Sequence, residues 1–254
     1  MRKRQTPRHK NSRGFSLLEM VMVVAILVTV TGIILAGISR MVTRNSAEAS
    51  KVDTVQETRD FIDQVVRDIH NAGYPSSIVF VGAPACTGNA GVACGIVSFS
   101  NTHIEYEGDL DSSGTVQHIF LNVLPGAGGT CPCTLQRGVL TKATVVANPA
   151  AVPTYYTEVN GIINSGNGAG ASNYGVTLSG SGNYTAYTTA DVFDAYDVNG
   201  ASISGSCTGA ACVSIRSVQI SANVVPDYSD LTTKTFPAIV VTSKARLNNS
   251  VTIY

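Results

Sequence analysis

The sequence carries little charge and no excess of either sign. Only 13% of its 254 residues are Asp, Glu, Lys or Arg, and 17 basic residues meet 17 acidic ones. That share is roughly half the usual one for a globular protein. A surface that is polar yet weakly charged, rich in Gly, Ser, Thr and Asn, suits an extracellular setting better than a crowded cytosol. The zero balance hides an uneven distribution. Arg2, Lys3, Arg4, Arg8, Lys10 and Arg13 crowd the start of the chain, and the first acid is Glu19. Past this leader 11 basic residues face 17 acidic ones, so a body that binds nucleic acid is not expected.

Catalytic signatures are missing too. There is no G-x-S-x-G, no Walker loop, no H-E-x-x-H and no dinucleotide fingerprint. His70, His103 and His118 are the histidines outside the leader. His70 reads as a solvated or capping residue near a helix end. His103 and His118 could face each other across a hairpin, but with no nucleophile nearby they read as surface strand residues. The chain is not expected to be an enzyme. No C-x-x-C or Cys/His cluster accompanies Cys131-Pro132-Cys133, which argues against zinc.

One absence is itself a feature. From Met20 to Ile38 the chain has no charged residue. As a helix these residues would span about 28 Å, close to the ~30 Å hydrocarbon core of a bilayer. Six Lys/Arg residues precede the span and only Arg40 and Arg44 follow it closely, which holds the N-terminus in the cytoplasm and turns the rest outward. A cleaved secretory signal peptide shares the basic start and apolar run. Against it stand the length of the run, the lack of a clean A-x-A site following it, and Glu19 at the edge of the apolar stretch. An ionisable group there costs a few kcal/mol unless paired, and so reads as functional.

Arg13-Gly14-Phe15-Ser16-Leu17-Leu18-Glu19, followed at once by an apolar helix, resembles the N-terminal motif of type IV prepilins and pseudopilins. The resemblance implies cleavage by a prepilin peptidase between Gly14 and Phe15, N-methylation of Phe15, and an assembly role for Glu19. Cleavage would create a positive amine in an apolar helix bundle. A neighbouring subunit's Glu19 would neutralise it, offsetting the desolvation of both charges.

Beyond Arg40, Val52, Val55, Ile62, Val65, Val66, Ile69 and Ala72 recur at helical spacing, with Glu48, Asp53, Glu57, Asp60, Asp63 and Asp68 between them. One helix is expected from about Ser16 to Asn71, with Gly32 and Gly37 as weak points and Gly73-Tyr74-Pro75 as its stop. The acids should lie on the face away from the apolar stripe. Arg67-Asp68-Ile69-His70-Asn71-Ala72-Gly73-Tyr74-Pro75 resembles the way PilW-type minor pilins, and more loosely J-type pseudopilins of type II secretion, leave this helix. The expected divisions are a cleaved leader at 1–14, a transmembrane and assembly helix at 15–39, an amphipathic helix at 40–73 and a β-rich, disulfide-containing head at 74–254.

In the head, strands are predicted at Ile78–Val81, Ile96–Ser100, His103–Tyr106, Val116–Leu121, Val139–Val146, Val213–Val225 and Ala238–Leu247, the last closing near Val251–Tyr254. The last two also resemble the closing strands of PilW-like proteins. The fold class is α+β, a long N-terminal helix packed on an antiparallel sheet with long loops. Asn164–Asn183, rich in Gly, Ser and Asn, reads as an exposed loop.

Six cysteines, Cys86, Cys94, Cys131, Cys133, Cys207 and Cys212, all lie past the apolar span, as disulfides of an oxidising compartment would. Local pairing of Cys86 with Cys94 and of Cys207 with Cys212 is the simplest scheme. Cys131 and Cys133 could close only a strained ring, so pairing elsewhere stays open. Asp109, Asp111 and Ser113 alternate before Gly114 as in a calcium loop. The position where such a loop needs its bidentate Glu is Phe120, and a plain hairpin turn is the competing reading.

The expected function is that of a PilW-like minor pilin. It would prime assembly of a type IV pilus with other minor pilins and the major pilin, carry no cofactor, and pass from the bacterial inner membrane to the pilus on the cell surface. A type II secretion pseudopilin, or a loop-rich head acting as a pilus-delivered adhesin or beside a tip adhesin, are the alternatives.

Overall fold

The computed structural model describes residues 16–80, 82, 85–126, 128–164, 176–178, 184, 187, 189–229 and 235–248. Gly14, Phe15 and the segment Val251–Tyr254 lie outside these residues.

Helix α1, Leu17–Asn71, is 55 residues long and continues through Gly32 and Gly37. Two compact units divide between Ser46 and Ala47. In the first unit the helix is apolar on every side, and large side chains from Leu17 to Val42 stay exposed. The hydroxyls of Thr29, Thr31 and Thr43 donate to backbone carbonyls three or four residues back, which hides polar groups that such a helix could not leave bare in lipid.

In the second unit α1 becomes one-sided. Thr58, Phe61, Ile62, Val65 and Ile69 are buried, and each large apolar side chain among them contributes about 1.5–3 kcal/mol by leaving water. The buried stripe starts later than its predicted beginning, since Val52 is exposed and Val55 only half-buried. Gly73, at φ 82°, ends the helix in the left-handed conformation that a Cβ disfavours, and its N–H donates to Glu107 O at 2.8 Å.

The described strands form an antiparallel sheet: β1 Ile96–Phe99, β2 His103–Gly108, β3 Gln117–Leu124, β4 Cys133–Thr141, β5 Tyr155–Ile162, β6 Phe193–Tyr196, β7 Ser202–Ile203, β8 Cys207–Thr208, β9 Ser217–Val224 and β10 Ile239–Arg246. Their order is β7-β6-β9-β5-β4-β3-β2-β1-β8, with β10 paired to β9. Strands β1 to β5 form a meander of successive neighbours. Strand β9 then joins β5 at Ile162 and Val224, and carries β6 and β10 along the rest of its length. A Cβ on Gly161, itself at φ 74°, would meet Val225 O at 2.2 Å, so this junction admits only glycine. One sheet face, with Ile104, Tyr106, Ile119, Leu121, Leu135, Val218 and Ile220, shares a single core with Phe61, Ile62, Val65 and Ile69 of α1. The protein is thus α+β, a long N-terminal helix packed through its C-terminal half on an antiparallel sheet.

Several predicted strands are corrected. Ser77–Val79 is a 3-10 turn, not a strand, because the Ser76 hydroxyl caps Ile78 N–H. Strand β4 begins at Cys133 and ends at Thr141, whose side chain accepts the Thr144 N–H and starts helix α2, Lys142–Ala147. That cap turns Val145 and Val146 from strand into helix. Val213 and Ser214 close a second 3-10 turn, Gly209–Ser214, ahead of β9. Asn164, the first residue of the expected exposed loop, is buried. Its Oδ1 accepts Asn223 N–H at 2.6 Å and its Nδ2 donates to Ser221 O at 3.0 Å, fastening it to β9.

Candidate functional site

Glu19 stands in the first turn of α1 and is exposed. Ser16 O accepts the N–H groups of Glu19 at 3.0 Å and Met20 at 3.1 Å, which closes that turn. An acid here is favoured by the positive end of the helix dipole. Past it the helix is long and apolar enough to cross a membrane, and none of that stretch is buried within the chain. Leu17 alone is 83% exposed. Nothing lies within 4 Å of a Cβ built on Gly32 or Gly37, so both leave open ground for another helix to approach closely.

On the sheet face turned away from α1, side chains from β2, β3 and α2 make a chain of alternating charge. Lys142 Nζ lies 2.6 Å from Glu107 Oε2. His118 Nδ1 lies 3.1 Å from Glu107 Oε1, and its Nε2 lies 3.1 Å from Glu105 Oε2. His103 Nε2 lies 2.8 Å from Glu105 Oε1, and its Nδ1 meets Asn122 Oδ1. The alternation of β2 aims His103, Glu105 and Glu107 to one side, and the β3 register sets His118 opposite Glu107.

Burial differs along this chain. His118 and Lys142 are 3% and 2% exposed, whereas the His103 and Glu105 side chains keep 27% and 22%. The surface assignment of His118 is therefore corrected. Its ring nitrogens are engaged by Glu105 and Glu107, and Glu107 is held in turn by Lys142 and by Cys94 N–H, both remote from it in sequence. Burial pulls the His118 imidazole down, but hydrogen bonds to Glu105 and Glu107 outweigh it and hold the pKa above the ordinary value. His103 is raised in the same way, burial being overcome by its bonds to Glu105 and Asn122. For the acids burial acts upward, but bonds from the imidazoles win, bringing Glu105 to about 2. Glu107 is also lowered against its burial, by His118 and Lys142.

Asp68 departs from the outward-facing set of acids. Its Oδ2 accepts from Arg137 Nη2 at 3.0 Å and from the Tyr106 hydroxyl at 3.2 Å, tying α1 to β4 and β2. Burial raises its pKa, more than Arg137 lowers it.

All six cysteines are joined locally, Cys86 to Cys94, Cys131 to Cys133 and Cys207 to Cys212. The alternative left open, that Cys131 and Cys133 pair elsewhere, is not taken: their Cα atoms lie 4.2 Å apart and the other four cysteines are already engaged. Non-reducing mass spectrometry of the exported protein should find no alkylatable thiol; six would overturn this pairing.

Asp109, Asp111 and Ser113 form a tight turn. Asp109 Oδ2 accepts Gly114 N–H at 3.0 Å, Asp111 Oδ1 accepts Ser113 N–H at 3.1 Å, and Asp111 Oδ2 accepts from Gln117 at 2.8 Å. These oxygens serve the turn itself. Among the described residues no group of three or more His, Cys, Asp and Glu is placed to hold a metal ion. Asp109 Oδ1 is buried without a hydrogen-bond partner among the described residues.

No curated protein and no solved structure matches the chain. Residues 9–35 match the family model described as the prokaryotic N-terminal methylation motif. That motif implies processing by a prepilin peptidase and association with pilus components, the part of a structural subunit, and with the exposed apolar half of α1 it fits anchorage in an inner membrane. The N-terminal segment therefore carries a prepilin-type methylation motif, which supports a type IV prepilin-like reading of the chain.

Proposed function

We propose that the protein is a PilW-like minor pilin that helps prime a type IV pilus and stays in its tip complex. The observation that carries this reading is the methylation motif running directly into an apolar helix with Glu19 in its first turn. After cleavage beyond Gly14, the amine of Phe15 and the Glu19 carboxylate of a neighbour neutralise one another in lipid, where neither is well placed alone. Gly32, Ala36 and Gly37 let the helices approach, and the charge pair sets their axial register. The way α1 ends, at Asn71-Ala72-Gly73-Tyr74-Pro75, supports the PilW-like assignment. A pseudopilin of type II secretion would begin with the same motif, and neighbouring genes for a secretion ATPase and secretin would favour it.

Glu19→Ala should be cleaved normally and yet assemble poorly, because the scissile bond is untouched while the partner of the new amine is gone. Piliation counted by electron microscopy and recovery of the tip complex by crosslinking measure this. Unchanged assembly would remove Glu19 from the role given to it here.

A further inference from the structure

We propose that the chain of charges on the outer sheet face is a pH-operated latch for the Cys86–Cys94 loop, with His118 as its sensor. Two observations meet at Glu107. First, Lys142 Nζ donates to the carbonyls of Cys86 at 2.9 Å and Val92 at 2.7 Å as well as to Glu107, while Cys94 N–H donates to Glu107 Oε2 at 2.9 Å. These two side chains bolt the disulfide loop to β2. Second, His118 sits with each ring nitrogen 3.1 Å from a carboxylate oxygen. Carboxylates only accept, so only the imidazolium, with two N–H groups, satisfies both contacts.

When His118 loses its proton, one of its two contacts becomes lone pair against lone pair, and two carboxylates, of which Glu107 is buried, share one fewer positive charge. His103 is under less compulsion. Its second contact is to the carboxamide of Asn122, which can rotate to offer a donor instead. The other groups facing the cluster are Phe120, whose ring lies 4.5 Å from that of His118, and the Tyr155 phenol from β5, near Glu105 and Asn122. Neither supplies a replacement charge.

The direction of the switch follows. Both imidazoles have folded-state pKa values above the ordinary 6.5, so their contribution is complete below about 6.5 and fades as pH rises through those higher values. Both carboxylates lie below the ordinary 4.5, so their contribution is complete above about 4.5 and fades as pH falls. The latch is fully shut between these limits and opens on the alkaline side. Opening loosens more than the loop, because Ala93 N–H donates to Pro75 O at 2.9 Å. Through that bond the loop holds the segment that displays Tyr74, Ile78, Val79 and Phe80 to solvent.

Hydrogen exchange on the full chain in detergent, with exchange times scaled for the intrinsic rate at each pH, tests this. Between pH 6 and 8.5, protection in residues 91–95 should fall by roughly tenfold or more, the equivalent of losing about 1.4 kcal/mol, while β3 and β4 hold theirs. In His118→Gln the loop should be loose at both pH values. His103→Gln should keep the pH response, as the less compelled partner. Equal protection at both pH values, or a His118→Gln chain that retains the full response, overturns the proposal. Should His118→Gln fail to fold, loss of the response in His103→Gln overturns the assignment of the sensor, and its survival upholds it.

Discussion

Lys142→Met should cost the protein about 3–5 kcal/mol, because it leaves the Glu107 carboxylate buried without its ammonium partner. The substitution is close in volume, so little of the loss comes from packing. Lys142 donates to Glu107 Oε2, to the carbonyls of Cys86 and Val92 and to Cys94 Sγ, and methionine offers a donor to none of them. Against a typical total of ~5–15 kcal/mol this is a large share. Urea denaturation of the full chain in detergent, followed by circular dichroism, measures it. Adding Glu107→Gln should return part of the loss, since the stranded group is then neutral. A single-variant loss within about 1 kcal/mol, the range of an exposed pair, would show that the pair is better hydrated than its burial indicates.

Gly14→Val should abolish maturation. The residue before the scissile bond must fit the peptidase closely, and a β-branched side chain obstructs the backbone there. The precursor would then keep all six leader charges beside its span, with Phe15 blocked by an amide and no free amine for Glu19 to meet. Intact mass and N-terminal sequencing read the outcome directly. A methylated Phe15 at the start of the variant would count against the peptidase motif, and a start near residue 40 in the natural protein would point to a signal peptide.

The parts of the fold that announced themselves were those with a single, sustained periodicity. Ile62, Val65 and Ile69 repeat at helical spacing and are buried together, and alternation in β2, β3 and β10 is close to regular. Strand β4 was obscured at its start because Gln136, Arg137 and Gly138 look like loop residues. Arg137 instead spends its charge on Asp68. Strand β5 keeps most of its side chains at least partly exposed, so Tyr155-Tyr156-Thr157-Glu158 gave no apolar rhythm to read. The motif at Gly14–Glu19 was legible because its chemistry is local. The charged chain was not, although His103, Glu105 and Glu107 alternate plainly. What joins them into one site is the meeting of His118, Lys142 and Cys94 N–H at Glu107, and contacts between distant segments leave no mark in local spacing.

The three disulfides have a mechanical consequence. Each closes over only a few residues, with separations of 8, 2 and 5, and none bridges α1 to the sheet or one distant strand to another. Under tension along the chain they would lock away only those short loops. Apart from the peptide chain that runs on from Asn71, α1 is held to the sheet by noncovalent contacts: the Asp68–Arg137 pair, the Gly73 bond to Glu107 and the apolar stripe from Phe61 to Ile69. None of these joints is covalent, so the disulfides would not stop α1 from parting from the sheet under pull.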